Sequence, residues 1–370
     1  MISRISNLRK GRDFNPREMV GNKQIVWLNC SKFVAILAVM LDHTNKILYQ
    51  SSDIAYASYF SVELFVILSG MTSYLSDLRH EKESWRETFI RSCKKIVVSY
   101  CVAVVLYMLV GTRGFDLSQY IHYLISFSIT GPHYFVLLYI QLMAVNRILY
   151  GLLRRCSHKM SGYCHEMIIM GGAIVLASWS IGNTNMLDVY GGGGKLFGGS
   201  YLILYFGGML AMRHGWFEDT SVVKSAVMLV GAGSVWFILW RLVCRNGLFL
   251  EAYAPFGNGY NPPGITFMAF GICMLFITFG LFTLLGRITH AMRVIRFIAW
   301  CGSHSMYIFL YHKLFLDYFL AKYMGHLPET NILIARVVYL AVMIFGSILL
   351  GIILGQGKKY IREVLYEKVE

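Results

Sequence analysis

Apolar residues run along this chain in long, nearly uncharged blocks separated by short polar connections. A helix needs about 20 residues to cross the hydrocarbon core of a bilayer, and a window of about 19 residues marks ten such blocks. They lie near 25–49, 56–76, 96–112, 133–153, 166–182, 197–212, 221–243, 265–285, 297–318 and 333–355. The third, fifth and sixth are short for a span. Leu117 to Thr130 is an eleventh apolar stretch. Two Gly- or Pro-rich stretches, Gly191–Gly194 and Asn261–Gly264, read as loops. The halves share no visible motif, so no internal repeat of transporter type is evident.

Composition removes the ordinary reading of a 370-residue chain as two or three soluble domains. Hydrophobic residues make up 56% and charged residues 15%, against roughly a quarter charged in a soluble domain, and mean hydropathy is +0.54. The net charge of +14 would suggest nucleic acid in a soluble protein. Here it follows loop topology instead, which leaves nucleic acid out as a partner. With ten spans and an inside N-terminus, only Lys46, Arg113, Lys195, Arg245 and Lys322 fall in outer loops. Lys32, Arg147, Arg241, Lys313 and Arg336 fall within spans, and the rest of the 34 Lys and Arg lie inside. Were 117–130 to cross as well, the basic loops at 79–95 and 154–165 would lie on opposite faces, so it reads as re-entrant or interfacial. The expected fold is all-α: a polytopic bundle of about ten transmembrane helices with both termini cytoplasmic. Residues 1–24 form an inner tail rather than a cleavable signal, 25–355 the membrane domain, and 356–370 a short basic tail suited to an interfacial helix. The eight cysteines are scattered without paired spacing and predict neither a disulfide framework nor a metal site.

Ionisable residues inside a bilayer are costly and face the bundle interior or a wet cavity, so they are the candidates for chemistry. The first span carries Lys32, Asp42 and His43. Lys32 and His43 are eleven residues apart, about 20° from three full turns and about 16 Å along the axis, so they share one face. His43 suits a general base for a hydroxyl; equally, it can sit at the headgroup boundary while Lys32 snorkels. Glu63 stands among apolar neighbours in Val62–Gly70, orienting a histidine or binding polar substrate, or else facing water at the outer boundary. Ser69-Gly70 reads as close helix packing. In the ninth span Tyr307 and His312 are mid-membrane polar groups, functional or satisfied by packing. The basic stretch Arg79–Lys95, with Trp85, Arg86, Arg91, Lys94 and Lys95, can hold a phosphorylated ligand or simply set topology. His133-Tyr134 matches an interfacial aromatic belt, with a functional role as the second reading, and Lys313 with Asp317 has the spacing of a structural pair. The chain has no P-loop, no GxSxG elbow, no HExxH and no Asp-rich phosphosugar motif.

Three blocks in order then carry a resemblance. Lys32 and His43 hold a charged residue and a His at the spacing of an opening-helix signature, with Asn29 ahead of them. Val62–Gly70 matches a Val-Asp/Glu-Leu-Phe-Phe-Val-Leu-Ser-Gly run followed by a basic loop. Gly302–His312 matches a late Gly-x-x-Ser-Leu-Tyr-Ile-Tyr-Leu-x-His signature. In these, over nearly its whole length, the chain resembles the integral-membrane acyltransferase-3 family, which includes bacterial O-acetyltransferases of surface polysaccharides.

That resemblance implies an acyl-CoA donor, most simply acetyl-CoA, entering from the cytoplasm, with no metal. The acceptor it implies is a hydroxyl of a cell-surface glycan or lipid-linked sugar, with membrane lipids around the bundle and a bacterial plasma membrane as its place. It makes His43 the catalytic base or transient acyl carrier and Glu63 a carboxylate of the polar site. Lys32, Arg86 and Arg91 become donor contacts, and Asp42, Tyr134, Tyr307 and His312 substrate-pocket residues. Two positions depart from the family pattern: Lys32 replaces an Arg, losing the bidentate fork, and Tyr134 stands where a Trp is expected. The fused esterase-like domain of some relatives is absent, so transfer is expected to finish within the membrane domain. The rival class is a transporter or flippase for a glycan or acyl intermediate, its in-membrane charges lining a permeation path.

Overall fold

The computed structural model describes residues 22–111, 114–156, 160–182, 196–218, 220–250, 261–320 and 332–366, and it is all-helical, without strands among them. The tail 1–21, the Gly191–Gly194 loop, Arg113, Lys195, Lys322 and residues 367–370 lie outside the described residues. The helices are α1 (Asn22–Leu48), α2 (Ser52–Ser58), α3 (Ser61–Arg79), α4 (Trp85–Gly111), α5 (Leu117–Ser126), α6 (Tyr134–Arg155) and α7 (Met160–Gly182). There follow α8 (Tyr201–Arg213), α9 (Val222–Asn246), α10 (Ile265–Leu285), α11 (Met292–Ser303), α12 (Ser305–Phe315) and α13 (Ile332–Tyr366).

By length and composition, eight helices among the described residues can cross a membrane: those in 26–48, 52–79, 85–111, 131–155, 162–181, 222–246, 265–285 and 336–355. Two of the expected spans differ. Where 197–212 was expected, α8 has 13 residues, about 20 Å of helix against the roughly 30 Å hydrocarbon core. Neighbouring helices bury most of it, Tyr201, Tyr205, Phe206 and Met209 being fully enclosed and only the stripe Ile203, Gly207 and Leu210 partly exposed, so protein more than lipid surrounds it. The span expected at 297–318 is broken at His304 into α11 and α12. The cause is local competition for a carbonyl. Ser303 Oγ donates to Trp300 O at 2.6 Å and His304 Nδ1 lies 2.9 Å from the same oxygen, taking the place of a backbone amide. At 10 residues, α5 is too short to cross, and Asp116 caps it through the Ser118 and Gln119 amides at 2.6 and 3.1 Å.

The basic stretch read as a loop up to Lys95 is mostly helix. Ser84 and Glu87 form a reciprocal capping box, with Ser84 N donating to Glu87 Oε2 at 2.7 Å and Glu87 N to Ser84 Oγ at 3.3 Å. α4 therefore starts at Trp85, and Arg86, Arg91 and Lys95 are helical. Likewise the expected tail after Gly355 continues α13 without interruption to Tyr366.

Backbone-close contacts hold the bundle, as in membrane helix pairs where small residues replace hydrophobic driving force. α3 and α8 meet reciprocally: a Cβ on Gly70 would overlap the Tyr205 carbonyl, and one on Gly208 would overlap the Ile67 carbonyl. α11 meets α1 through Gly302 against the Asn29 carbonyl. The outer faces of α9 and α13 are apolar, with Val223, Val227, Val230, Phe345 and Leu349 all well exposed, as lipid contact requires. Polar groups go inward: Glu166 binds Arg213 Nε at 2.6 Å and His214 Nε2 at 2.7 Å, tying α7 to the end of α8. All eight cysteines are free.

Replacing Gly70 by Val should cost more than the ~1–3 kcal/mol usual for overpacking, because the obstacle is backbone. The melting temperature of the detergent-solubilised protein should fall clearly, whereas Gly172→Ala, whose Cβ meets nothing within 4 Å, should leave it unchanged.

Candidate functional site

Two cavities lie along the polar face of α1. The first, of about 310 Å³, is lined by Asp42, His43 and Lys46 of α1, by Glu63 of α3, by Tyr134 at the start of α6 and by Phe309 of α12, among others. The structure thus gathers four of the sequence candidates, His43, Asp42, Glu63 and Tyr134, from three helices. Glu63 is 1% exposed, and its Oε2 has no protein hydrogen-bond partner. Gly271 of α10 lies against its Cβ, where any side chain on Gly271 would overlap Glu63, so α10 packs closely on the carboxylate's root.

His43 is oriented by stacking more than by hydrogen bonding. Its ring lies on that of His312 with centroids 5.2 Å apart and planes 26° from parallel. Asp42 Oδ2 is 3.8 Å from His43 Nδ1, beyond hydrogen-bond range, and faces Lys46 Nζ at 3.6 Å. His312, 1% exposed, does not line the cavity itself but backs His43. Its Nδ1 donates to Phe309 O at 2.7 Å, which fixes the tautomer and leaves Nε2 as an unpartnered acceptor in the neutral ring.

His133, weighed in the sequence as belt or functional group but not named with Tyr134 as a pocket residue, backs this group. It is fully buried, donates from Nε2 to Leu310 O at 3.2 Å and is flanked edge-on by Tyr100 and Tyr107, with centroids 5.3 Å away in both cases. Tyr107 donates to the same carbonyl at 3.3 Å. Together they pin the segment of α12 that carries Phe309 and His312. The signal for His133 was its position beside Tyr134, which reads equally as an aromatic belt.

The second cavity, of about 190 Å³, holds Lys32 of α1 with Lys95 of α4, flanked by Ser69, Gly302, Ser303 and Ser305. The break at His304 puts Ser303 and the first residues of α12, Ser305 and Met306, on the lining of this space beside the two lysines, so its electrostatics favour negative charge. Neither Lys is ion-paired with a carboxylate among the described residues. Lys95 Nζ lies 5.8 Å from the centroid of the Tyr307 ring, which places Tyr307 behind Lys95 rather than in the His43 cavity. Arg86 is exposed on the first turn of α4, and Arg91 Nη1 is bound to Glu83 at 2.8 Å. Neither lines either of these two cavities; Lys95, a neighbour in the same basic stretch, does.

A third, hydroxyl-rich cavity of about 210 Å³ adjoins the second through Thr72, Ser92 and Tyr139. Its floor is a buried network in which Asn146 donates to Asp77 Oδ2 at 2.6 Å and accepts from Tyr205 at 2.8 Å. Arg147 Nη1 stands 3.6 Å from Asp77 Oδ1. Among the described residues no group of three or more His, Cys, Asp or Glu is placed to hold a metal ion.

A helical bundle of membrane-crossing dimensions, with a histidine–carboxylate cavity and a cationic cavity along one helix, describes a multi-pass membrane protein with a buried polar site. The chain belongs to the acyltransferase-3 family, whose signature, described as an acyltransferase domain, it matches over residues 25–355. No curated protein and no solved structure matches it.

Asn146→Leu should strand both Asp77 and Tyr205, a loss on the order of 3 kcal/mol from unsatisfied buried polar groups, read as a lowered melting temperature in nanodiscs.

Proposed function

We propose that the protein is a ten-span membrane O-acyltransferase, both termini cytoplasmic, that moves an acetyl group from acetyl-CoA to a hydroxyl of a cell-surface glycan or lipid-linked sugar. Its place is the bacterial plasma membrane. The observation that carries this reading is the pair of cavities on one face of α1, one cationic around Lys32 and Lys95, the other carrying His43 and Glu63. Family membership supplies the reaction class, and the cavities divide its two substrates between them.

In this reading the donor's phosphates and polar arm enter on the Lys32 side, held by Lys32, Lys95 and the N-terminus of α12. Arg86 and Arg91 add positive potential near the entrance. The acceptor occupies the His43 cavity, with Glu63, Asp42 and Tyr134 as hydrogen-bonding walls. His43 takes the proton of the acceptor hydroxyl as its oxygen attacks the thioester carbonyl. The new C–O ester bond forms, the C–S bond breaks, and the proton ends on the departing CoA thiolate. His312 keeps the His43 ring in plane, and Tyr307 steadies Lys95.

The test is acetyl-CoA turnover by nanodisc-held protein with a mixture of surface glycans as acceptors. His43→Gln should lower transfer by about 10²–10⁴-fold, the usual contribution of a general base, while expression and melting temperature hold. Wild-type turnover in that variant would remove His43 from catalysis. Lys32→Ala should raise the KM for acetyl-CoA at least tenfold. For topology, Lys46→Cys should react from outside intact cells with an impermeant maleimide, and Arg86→Cys only after permeabilisation, in a cysteine-free background.

A further inference from the structure

The two cavities share a single wall residue among the described residues, Phe309. Its ring is 5% exposed and packs against Phe135 of α6 with centroids 5.2 Å apart. Phe135 in turn packs on Phe65 of α3 at 6.3 Å, so three rings from three helices form one partition. Phe65 and Phe135 face the Lys32 cavity, and Phe309 faces both. On the far side, the Phe309 ring lies 5.8 Å from His312, which stacks on His43.

Position along α12 makes Phe309 hard to bypass. Its carbonyl is held by His312 Nδ1, and the next carbonyl, that of Leu310, is held by His133 and Tyr107. The backbone that carries the ring is therefore fixed, and only the side chain is free to turn.

We propose that Phe309, backed by Phe135 and Phe65, sets the acyl-chain length this protein accepts and restricts it to the two-carbon acetyl group. This rests on the acyl-transfer reading above. A thioester brought in beside Lys32 has to present its carbonyl past the Phe309 ring to reach an acceptor oxygen beside His43. An acetyl group adds one methyl beyond that carbonyl. A longer chain has two places to go, and both are unfavourable. It can enter the His43 cavity, where it takes up the space the acceptor needs beside Asp42, His43 and Glu63, or it can displace a ring from a packed partition. A pocket of fixed size discriminates roughly tenfold or more per methylene.

The experiment compares kcat/KM for acetyl-, butyryl- and hexanoyl-CoA, measured as free CoA thiol released in nanodiscs with the glycan mixture. Wild type should favour acetyl-CoA over hexanoyl-CoA at least a hundredfold. Phe309→Ala should raise the butyryl-to-acetyl ratio at least tenfold, with melting temperature recorded alongside. Phe309→Leu and Phe135→Leu, which keep most of the apolar volume, should raise it less but in the same direction, and they decide the matter if the alanine variant does not fold. Ratios unchanged within twofold in folded variants that still turn over acetyl-CoA would overturn the proposal, as would equal use of hexanoyl-CoA by wild type. Absence of turnover with every donor is a different pattern from a flat ratio: it sinks the acyl-transfer reading, and this proposal with it.

Discussion

The close approach of α11 to α1, where Gly302 sits against the Asn29 carbonyl, is the contact on which the rest of the site depends. It lets two helix backbones come nearer than any side chain would permit, just before the chain breaks at His304. α12 then starts beside Lys32 and runs along the same face of α1 as far as His43. A bulkier residue at 302 would push α11 outward, and α12 with it, separating Phe309 and His312 from the groups they meet. One missing Cβ thus aligns a cation, an aromatic ring and a stacked histidine pair over about three turns of α1.

Polar groups in this bundle fall into two sets. One ties helices together: Asp77 Oδ2 binds Asn146, which in turn accepts from Tyr205, and Glu166 binds Arg213 and His214. The other is open. Glu63 Oε2, Asp42 Oδ1, His312 Nε2 and His133 Nδ1 lack protein partners, and all four residues line or adjoin the His43 cavity. Orphaned buried polar atoms are costly and scattered ones would signify little. Others lie elsewhere in the bundle, Trp27 Nε1, Ser225 Oγ and Ser347 Oγ among them; what sets Asp42 and Glu63 apart is that both line one cavity, where a polar guest has room to meet them.

Much of this was legible in the chain. The apolar blocks located the long helices, and 265–285 coincides with α10, because a bilayer imposes length and composition so strongly. The eleven-residue spacing put Lys32 and His43 on one face, and the isolated carboxylate pointed to Glu63. Other features depended on competition that hydropathy does not register. The break at His304 arises from two side chains contesting one carbonyl. The extension of α4 to Trp85 arises from a capping box that was present as Ser84 and Glu87 but masked by the surrounding charge. Lys95 and Arg91, four residues apart, both looked like anion ligands. Only the fold shows that Arg91 is held by Glu83 while Lys95 faces Lys32 across a cavity. His133 was obscured in a similar way, its partner carbonyl lying 177 residues away.

The aromatic partition has a consequence for the cell as well as for the substrate. In the proposed topology the Lys32 cavity opens toward one aqueous compartment and the His43 cavity toward the other, so a continuous water column between them would short-circuit the membrane. Each elementary charge crossing 100 mV releases about 2.3 kcal/mol, and apolar constrictions stop such leakage by excluding water. On the proposed reading Phe309, Phe135 and Phe65 are insulation, passing an uncharged acyl group between compartments while holding back protons and ions. Proton conductance of proteoliposomes reports on that property directly, and a wild-type protein that leaked protons freely would be incompatible with it.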